Sequence, residues 1–159
     1  MPNWTNIKAT WSIRLFALAK IPMIALVRPT IVQADAEVCI VRIPLSWVVK
    51  NHLRTMYFGA LCVGADMAGG LIVMNMIRAR RSRVAFLFKD FNAEFLKRAE
   101  GATVFTCRDG KKLAALLERA EASGEREEDT VEVIATVPEK LQDEPVAVFT
   151  LTISMKKRQ

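Results

Sequence analysis

Apolar positions recur along this chain in several rhythms, and each rhythm predicts a kind of element. Over residues 3–20 they fall at helical spacing, with Trp4, Ile7, Trp11, Leu15 and Leu18 along one side. Asn3-Trp-Thr-Asn is available to cap the start, so a docked helix is expected to about Lys20. Past Pro22 the spacing changes. Residues 23–33 and 37–44 are short, β-branched runs on either side of the polar turn Ala34-Asp-Ala, and they predict a strand pair with Pro29 at an edge or bulge. Residues 46–54 read as a connecting loop. Residues 57–77 are apolar or small on every side, the pattern of a helix enclosed by its surroundings.

Over residues 83–99 the alternation becomes strict, Val84/Phe86/Phe88 and then Phe91/Ala93/Phe95, with a slip of phase near Lys89-Asp90. That slip marks a bulge in a long, curving strand. Glu100-Gly101 then turns into a strand over 102–108, expected to form a hairpin with the strand before it. Asp109 is placed to cap a helix Gly110–Ser123 that buries Leu113, Leu116, Leu117 and Ala120 and stops at Gly124. Residues 125–129 read as an acidic turn, 130–138 and 145–155 as a final strand pair, and 156–159 as a frayed basic tail. The order predicts an α+β domain over residues 23–159, a curved and largely antiparallel sheet wrapped around the 57–77 helix, preceded by an N-terminal helix in residues 1–22.

A membrane span is the competing reading of 57–77, which has the length to cross a bilayer and ends in the basic flank Arg78-Ala-Arg-Arg-Ser-Arg83. Asp66 near its middle, the four glycines Gly59, Gly64, Gly69 and Gly70, and the amphipathic strands around it favour a core helix instead. The 159 residues suffice for one core, and a hydrophobic fraction of 52% suggests a buried oligomer interface as well. The net charge of +6 points to an anionic ligand or surface. Cys39, Cys62 and Cys107 are widely spaced within apolar segments and read as reduced thiols of a cytoplasmic protein. The single histidine, His52, excludes a multi-histidine metal centre, and no metal or cofactor is expected.

Asp66 is the residue on which chemistry is most naturally placed. A carboxylate inside an apolar helix costs several kcal/mol unless it is paired or neutralised. Gly59 and Asp66 are seven positions apart, within about 20° on one helix side, and Cys62, Val63, Gly69, Gly70 and Val73 share that side as a groove of mainly small residues. The bland alternatives are a structural Asp66 bonded to backbone or to Arg54 of another copy, and glycines that only let strands pack closely.

The segment Gly59-Ala-Leu-Cys-Val-Gly-Ala-Asp66 resembles the helix motif of hotdog acyl-CoA thioesterases of the phenylacetyl-CoA thioesterase type, in which an Asp follows seven residues after the second Gly of a His-Gly-Gly step. Tyr57 and Phe58 stand here in place of that His and first Gly. The chain is closer to an uncharacterised thioesterase-like hotdog family that carries Asn-His, here Asn51-His52, shortly before a Tyr-Phe-Gly-Ala-Leu helix start. The resemblance covers about residues 23–155. It implies the hotdog fold, a homodimer or dimer of dimers, and hydrolysis of an acyl-CoA or acyl-carrier thioester at a subunit interface.

Beside that resemblance, the unpaired N–H groups at the helix start near Gly59 suit an oxyanion hole, and Asp66 suits a general base or a nucleophile. Asn51, His52, Tyr57 and Phe58 are candidate substrate contacts at the helix mouth. Arg80 and Arg81 are candidates for coenzyme A phosphates, whereas nucleic acid finds no recognition motif. The alternative is a non-catalytic acyl-CoA or lipid-binding protein of the same fold, in which the groove is kept and turnover is lost.

Overall fold

A computed structural model describes residues 4–158 of the chain; the side chains of residues 4–6 and 16–18 lie outside that description. The elements are α1 (Trp4–Lys20), α2 (Pro22–Leu26), β1 (Thr30–Ala34), β2 (Cys39–Ile43), a 3-10 turn (Trp47–Val49), α3 (Phe58–Ala79), β3 (Val84–Phe95), β4 (Thr103–Cys107), α4 (Gly110–Ser123), β5 (Glu127–Thr136), α5 (Pro138–Leu141) and β6 (Pro145–Lys157). The strands form one antiparallel sheet in the order β1-β2-β4-β5-β6-β3. Its inner face, with Val41, Phe105, Val133, Phe149 and Leu151 fully buried, wraps α3. This is the hotdog arrangement that the resemblance implied. Length and apolarity alone would let α3 cross a membrane, but most of it is buried inside the sheet.

Close packing on α3 explains its small residues. A methyl group added at Gly64 would lie 2.3 Å from carbons of the Phe105 ring, so the absent side chain lets that strand residue reach the helix. Gly69 faces Val131, Val133 and Phe88 at ordinary contact distance, where a methyl group would fit. The bulge appears where the phase slips, between Phe88 and Asp90 in the β3–β6 register. Gly124 ends α4 in a left-handed conformation, φ 69°, with its N–H on the Ala120 carbonyl.

Several expectations are corrected. Residues 23–26 belong to α2, because Pro22 supplies the fixed φ and missing donor that suit a first helical position, and the first strand begins only at Thr30. The β3–β4 hairpin does not exist. β3 pairs along its whole length with the comparably long β6, and the chain crosses the end of the sheet to lay β4 between β2 and β5. Met56 donates to Ala99 and Leu96 donates to Val146, which fixes that crossing. Asp109 stands at the N-cap of α4 but makes no side-chain cap bond; its carboxylate accepts the Glu132 N–H at 2.7 Å and ties α4 to β5.

The acidic residues 127–129 are in β5, held by Lys89, Arg119 and Lys112 as cross-element ion pairs. Lys156 and Lys157 continue β6 against Ala85 and Val84 and do not fray. Gln159 and the proposed cap residue Asn3 lie outside the described residues.

The inserted helix α4 is locked to the β1–β2 turn at its first residue. Gly110 donates to the Glu37 carbonyl at 3.1 Å, and a Cβ there would sit 2.1 Å from the Ala36 carbonyl oxygen and 2.4 Å from the Glu37 Cα. Backbone cannot yield as a side-chain end can. Gly110→Ala should therefore destabilise the protein by about 1–3 kcal/mol, read as a lower urea midpoint with an unchanged slope.

Candidate active site

The start of α3 is built by the loop before it. Asn51 accepts the N–H groups of Leu53 and Thr55 on its side-chain oxygen, at 2.9 and 3.1 Å, and donates to the Thr55 hydroxyl at 2.9 Å. It is thus the organiser of the 51–55 turn, in which Arg54 takes a positive φ of 62° and His52 is exposed. Tyr57 is the extended N-cap residue, and both Ala60 and Leu61 donate to its carbonyl. The Phe58 and Gly59 N–H groups, first in the helix, find no acceptor among the described residues. The Tyr57 ring lies against Gly59, 2.5 Å from where a Cβ would stand, and stacks at 4.7 Å on Phe58. Both rings are exposed, so the unpaired donors lie beside an aromatic pair at the surface.

Asp66 lies two turns further along α3, on the side that the sheet leaves open. It lines a cavity of about 270 Å³ with Ile13 of α1, Ile21 and Ile24 near and in α2, Gly70, Leu71 and Met74 of α3, and Phe86, Leu87 and Phe88 of β3. Among the described residues nothing hydrogen-bonds or ion-pairs with its carboxylate. Burial therefore acts unopposed and holds the Asp66 carboxyl above the usual carboxylate range.

This cavity shares Ile13, Leu71 and Met74 with a smaller one that ends at Asn75 and Arg78. That one in turn shares Ala34 and Asn75 with a space of about 520 Å³ lined by Ala79, Arg80 and Lys111. A furrow thus follows α3 from an apolar end at Asp66, past Arg78, to a charged end where Arg80 and Lys111 stand beside Asp35 and Glu37. Arg80 is already bound to Glu118 at 3.0 Å and lies near Glu121 at 3.9 Å, clamping α3 on α4. Arg81, with a φ of 49° just past the helix, is exposed and has no ion-pair partner among the described residues.

The fold unites only part of the candidate set. Gly59, Tyr57, Phe58 and the Asn51 turn share the helix mouth, while Asp66 stands about 10 Å away along the axis and Arg80 about 21 Å beyond Asp66 at 1.5 Å per residue. The sequence reading missed Ile13, Ile24, Phe86 and Phe88 as walls of the cavity. The alternation of β3 contained the two phenylalanines, but it fixes a strand face and not the helices that come to lie over it. Gly69 and Val73 are core residues against the sheet, whereas Gly70 does open the Asp66 cavity.

Solved structures share this architecture across nearly the whole chain. A protein of unknown function from Chlorobaculum tepidum TLS superposes with a TM-score of 0.81 at 17% identity, covering 96% of this chain and 97% of its own. A Pseudomonas aeruginosa protein of unknown function, named as a probable thioesterase, gives 0.78 at 22% identity over 94% and 96%. A thioesterase family protein from Silicibacter pomeroyi gives 0.64 at 14% over 94% and 99%. At these identities the likeness establishes a fold that thioesterase family proteins also have. No curated protein matches the chain. A family model described as a domain of unknown function (DUF4442) matches residues 9–156, nearly the whole length, so the chain belongs to that family.

Proposed function

We propose that the protein is a thioesterase that hydrolyses an acyl-CoA or acyl-carrier thioester, with Asp66 as general base or nucleophile and the start of α3 near Gly59 as oxyanion hole. The observation that carries this reading is the unpartnered Asp66 carboxylate in an apolar cavity. A carboxylate raised toward neutral pH is a stronger base than one in water, and the cavity walls suit an acyl chain. As base, Asp66 takes a proton from water while the hydroxide adds to the thioester carbonyl carbon. Unpaired N–H groups stabilise the resulting oxyanion; the carbon–sulfur bond then breaks and the leaving thiolate recovers the proton. As nucleophile, Asp66 adds to the carbonyl carbon itself and the carbon–sulfur bond breaks, leaving a mixed anhydride and the thiolate. Water then cleaves the anhydride, one of its protons goes to the thiolate, and the Asp66 carboxylate is restored as the acid leaves.

One subunit cannot do this alone. About 10 Å separates Gly59 from Asp66 along the helix axis, too far for both to serve one carbonyl. The donors must come from a second copy whose helix start meets this helix's middle. Two features support such an assembly. β3 is a twelve-residue strand at the sheet edge, with no further strand beside it among the described residues, and Leu87, Phe91 and Phe95 are exposed along it. Phe58 packs edge-on to Phe95 at 6.3 Å, which joins the helix mouth to that edge. The far end of the furrow offers the exposed Arg78 to coenzyme A phosphates, and Arg81 is a further exposed cation three residues on, while Arg80 is held by its glutamates and Lys111 by Glu37 at 3.5 Å. Cys39 and Cys107 face each other across β2 and β4 as free, buried thiols, which supports a reducing, cytoplasmic setting.

The test is a hydrolysis screen of straight-chain and aromatic acyl-CoAs beside the matching acyl-pantetheines. Thiol release from at least one acyl-CoA is expected, with weaker binding of the pantetheine that lacks the nucleotide. Tight acyl-CoA binding with no thiol released from any substrate would leave the non-catalytic alternative in its place.

A further inference from the structure

The N-terminal helices carry a surface that the thioesterase reading does not use. α1 is apolar on two opposite sides. Its inner side presents Ile13 to the furrow along α3 and Thr10 to β1, where the Ile31 N–H donates to the Thr10 hydroxyl at 2.9 Å. Its outer side presents Trp11 and Leu15, which are 67% and 72% exposed, one turn apart. α2 continues this outer surface with Met23 and Leu26, 62% and 57% exposed. An apolar helix side is normally covered, and here the outer one is bare.

Charge decides what covers it. Residues 1–34 contain Lys8, Arg14, Lys20 and Arg28 and not one carboxylate; the first acidic residue of the chain is Asp35. Lys8 and Lys20 of α1 and Arg28 just past α2 are exposed, and Arg14 lies 5.9 Å from the Trp11 ring centre. A second copy meeting this face with its own would set cations against cations with no acid of the segment to relieve them. A bilayer with anionic headgroups meets both needs at once. Tryptophan and aliphatic side chains enter the boundary between headgroups and acyl chains, while lysine and arginine stay at the phosphates.

We propose that α1 and α2 form a docking face for an anionic lipid bilayer. The same two helices wall the Asp66 cavity through Ile13 and Ile24, so docking sets one wall of that cavity at the lipid surface. The proposal stands whether or not the protein hydrolyses thioesters.

The test is flotation of the full-length protein with vesicles of phosphatidylcholine alone and of phosphatidylcholine with 30% phosphatidylglycerol, a composition chosen to supply about one anionic lipid in three. Binding should occur to the anionic vesicles, fall at least tenfold on the neutral ones, and fall again when the salt is raised to about 0.5 M. Trp11→Ser with Leu15→Ser should abolish binding, and Lys8→Glu with Lys20→Glu should remove its preference for anionic lipid. Circular dichroism melts of both variants verify folding, and single Trp11→Ser and Lys20→Glu replacements, each expected to weaken binding severalfold, serve if a double variant fails to fold. No binding to anionic vesicles, equal binding to both kinds, or folded variants that bind as the wild type does would overturn the proposal. So would a loss of self-association in the Trp11→Ser, Leu15→Ser variant, which would assign the face to a second copy.

Discussion

Asp66→Asn should lower thioester turnover by about a hundredfold or more, the scale on which a positioned base contributes, while binding of a non-hydrolysable acyl-CoA persists. The substitution keeps shape and removes the anionic oxygen that acts as base or nucleophile. Its effect on stability has a definite sign. Burial holds the Asp66 carboxyl above its ordinary range, so the folded protein binds that proton more tightly than the unfolded chain. Ionisation therefore costs stability as pH rises from the unfolded value near 4 through the folded one, and the cost is absent below both. The amide does not titrate. The variant should consequently melt higher than the wild type at pH 7, and that advantage should vanish at about pH 3.

A structural Asp66 with a partner in another copy predicts the reverse, a clear loss of stability at pH 7 with activity per folded molecule little changed. Hydrolysis by the Asn variant at a rate near wild type would remove Asp66 from the mechanism.

Phe149→Ala should be among the most damaging single changes in the core. Phe149 is fully buried in β6, with ring centres 5.6 Å from Phe91, 6.1 Å from Phe95 and 6.4 Å from Phe105. It therefore joins the β3 edge to the sheet centre, and through Phe95 and Phe58 to the mouth of α3. Truncation leaves a cavity that packed strands cannot close, with an expected cost of about 3–5 kcal/mol and a fall in melting temperature on the order of 10 °C. Phe149→Leu should recover a good part of that loss. A thermal melt and a urea titration on both variants measure it, and a Phe149→Ala protein within 1 kcal/mol of wild type (about a fivefold change in the folding constant) would deny the cluster its role.

Most of the secondary structure and the one carboxylate of α3 could be read directly from the chain. Period and punctuation are local properties: α3 is apolar on all sides, β3 slips where its bulge occurs, and Gly124 ends α4. Asp66 stood out because one carboxylate in such a helix is costly wherever the helix is placed. Neighbour relations were not legible in the same way. Alternation in β3 tells which side chains face inward, but nothing in residues 84–95 distinguishes β4, the next strand in sequence, from β6, the distant strand of matching length that it pairs with.

The errors share that origin. α1 has apolar residues on both sides, so spacing alone could not choose the docked one, and Ile13 rather than Trp11 and Leu15 went inward because α3 and β1 happen to meet that side. Residues 127–129 looked like a solvated turn until Lys89, Lys112 and Arg119, remote in sequence, arrived to neutralise them within a strand. Asp109 sat at a helix start, yet its carboxylate went to the Glu132 N–H that the fold brought close. Burial patterns are encoded residue by residue. The partner across each contact is selected by chain crossings and by the lengths and charges of distant segments, and those act only once the sheet has closed around its helix.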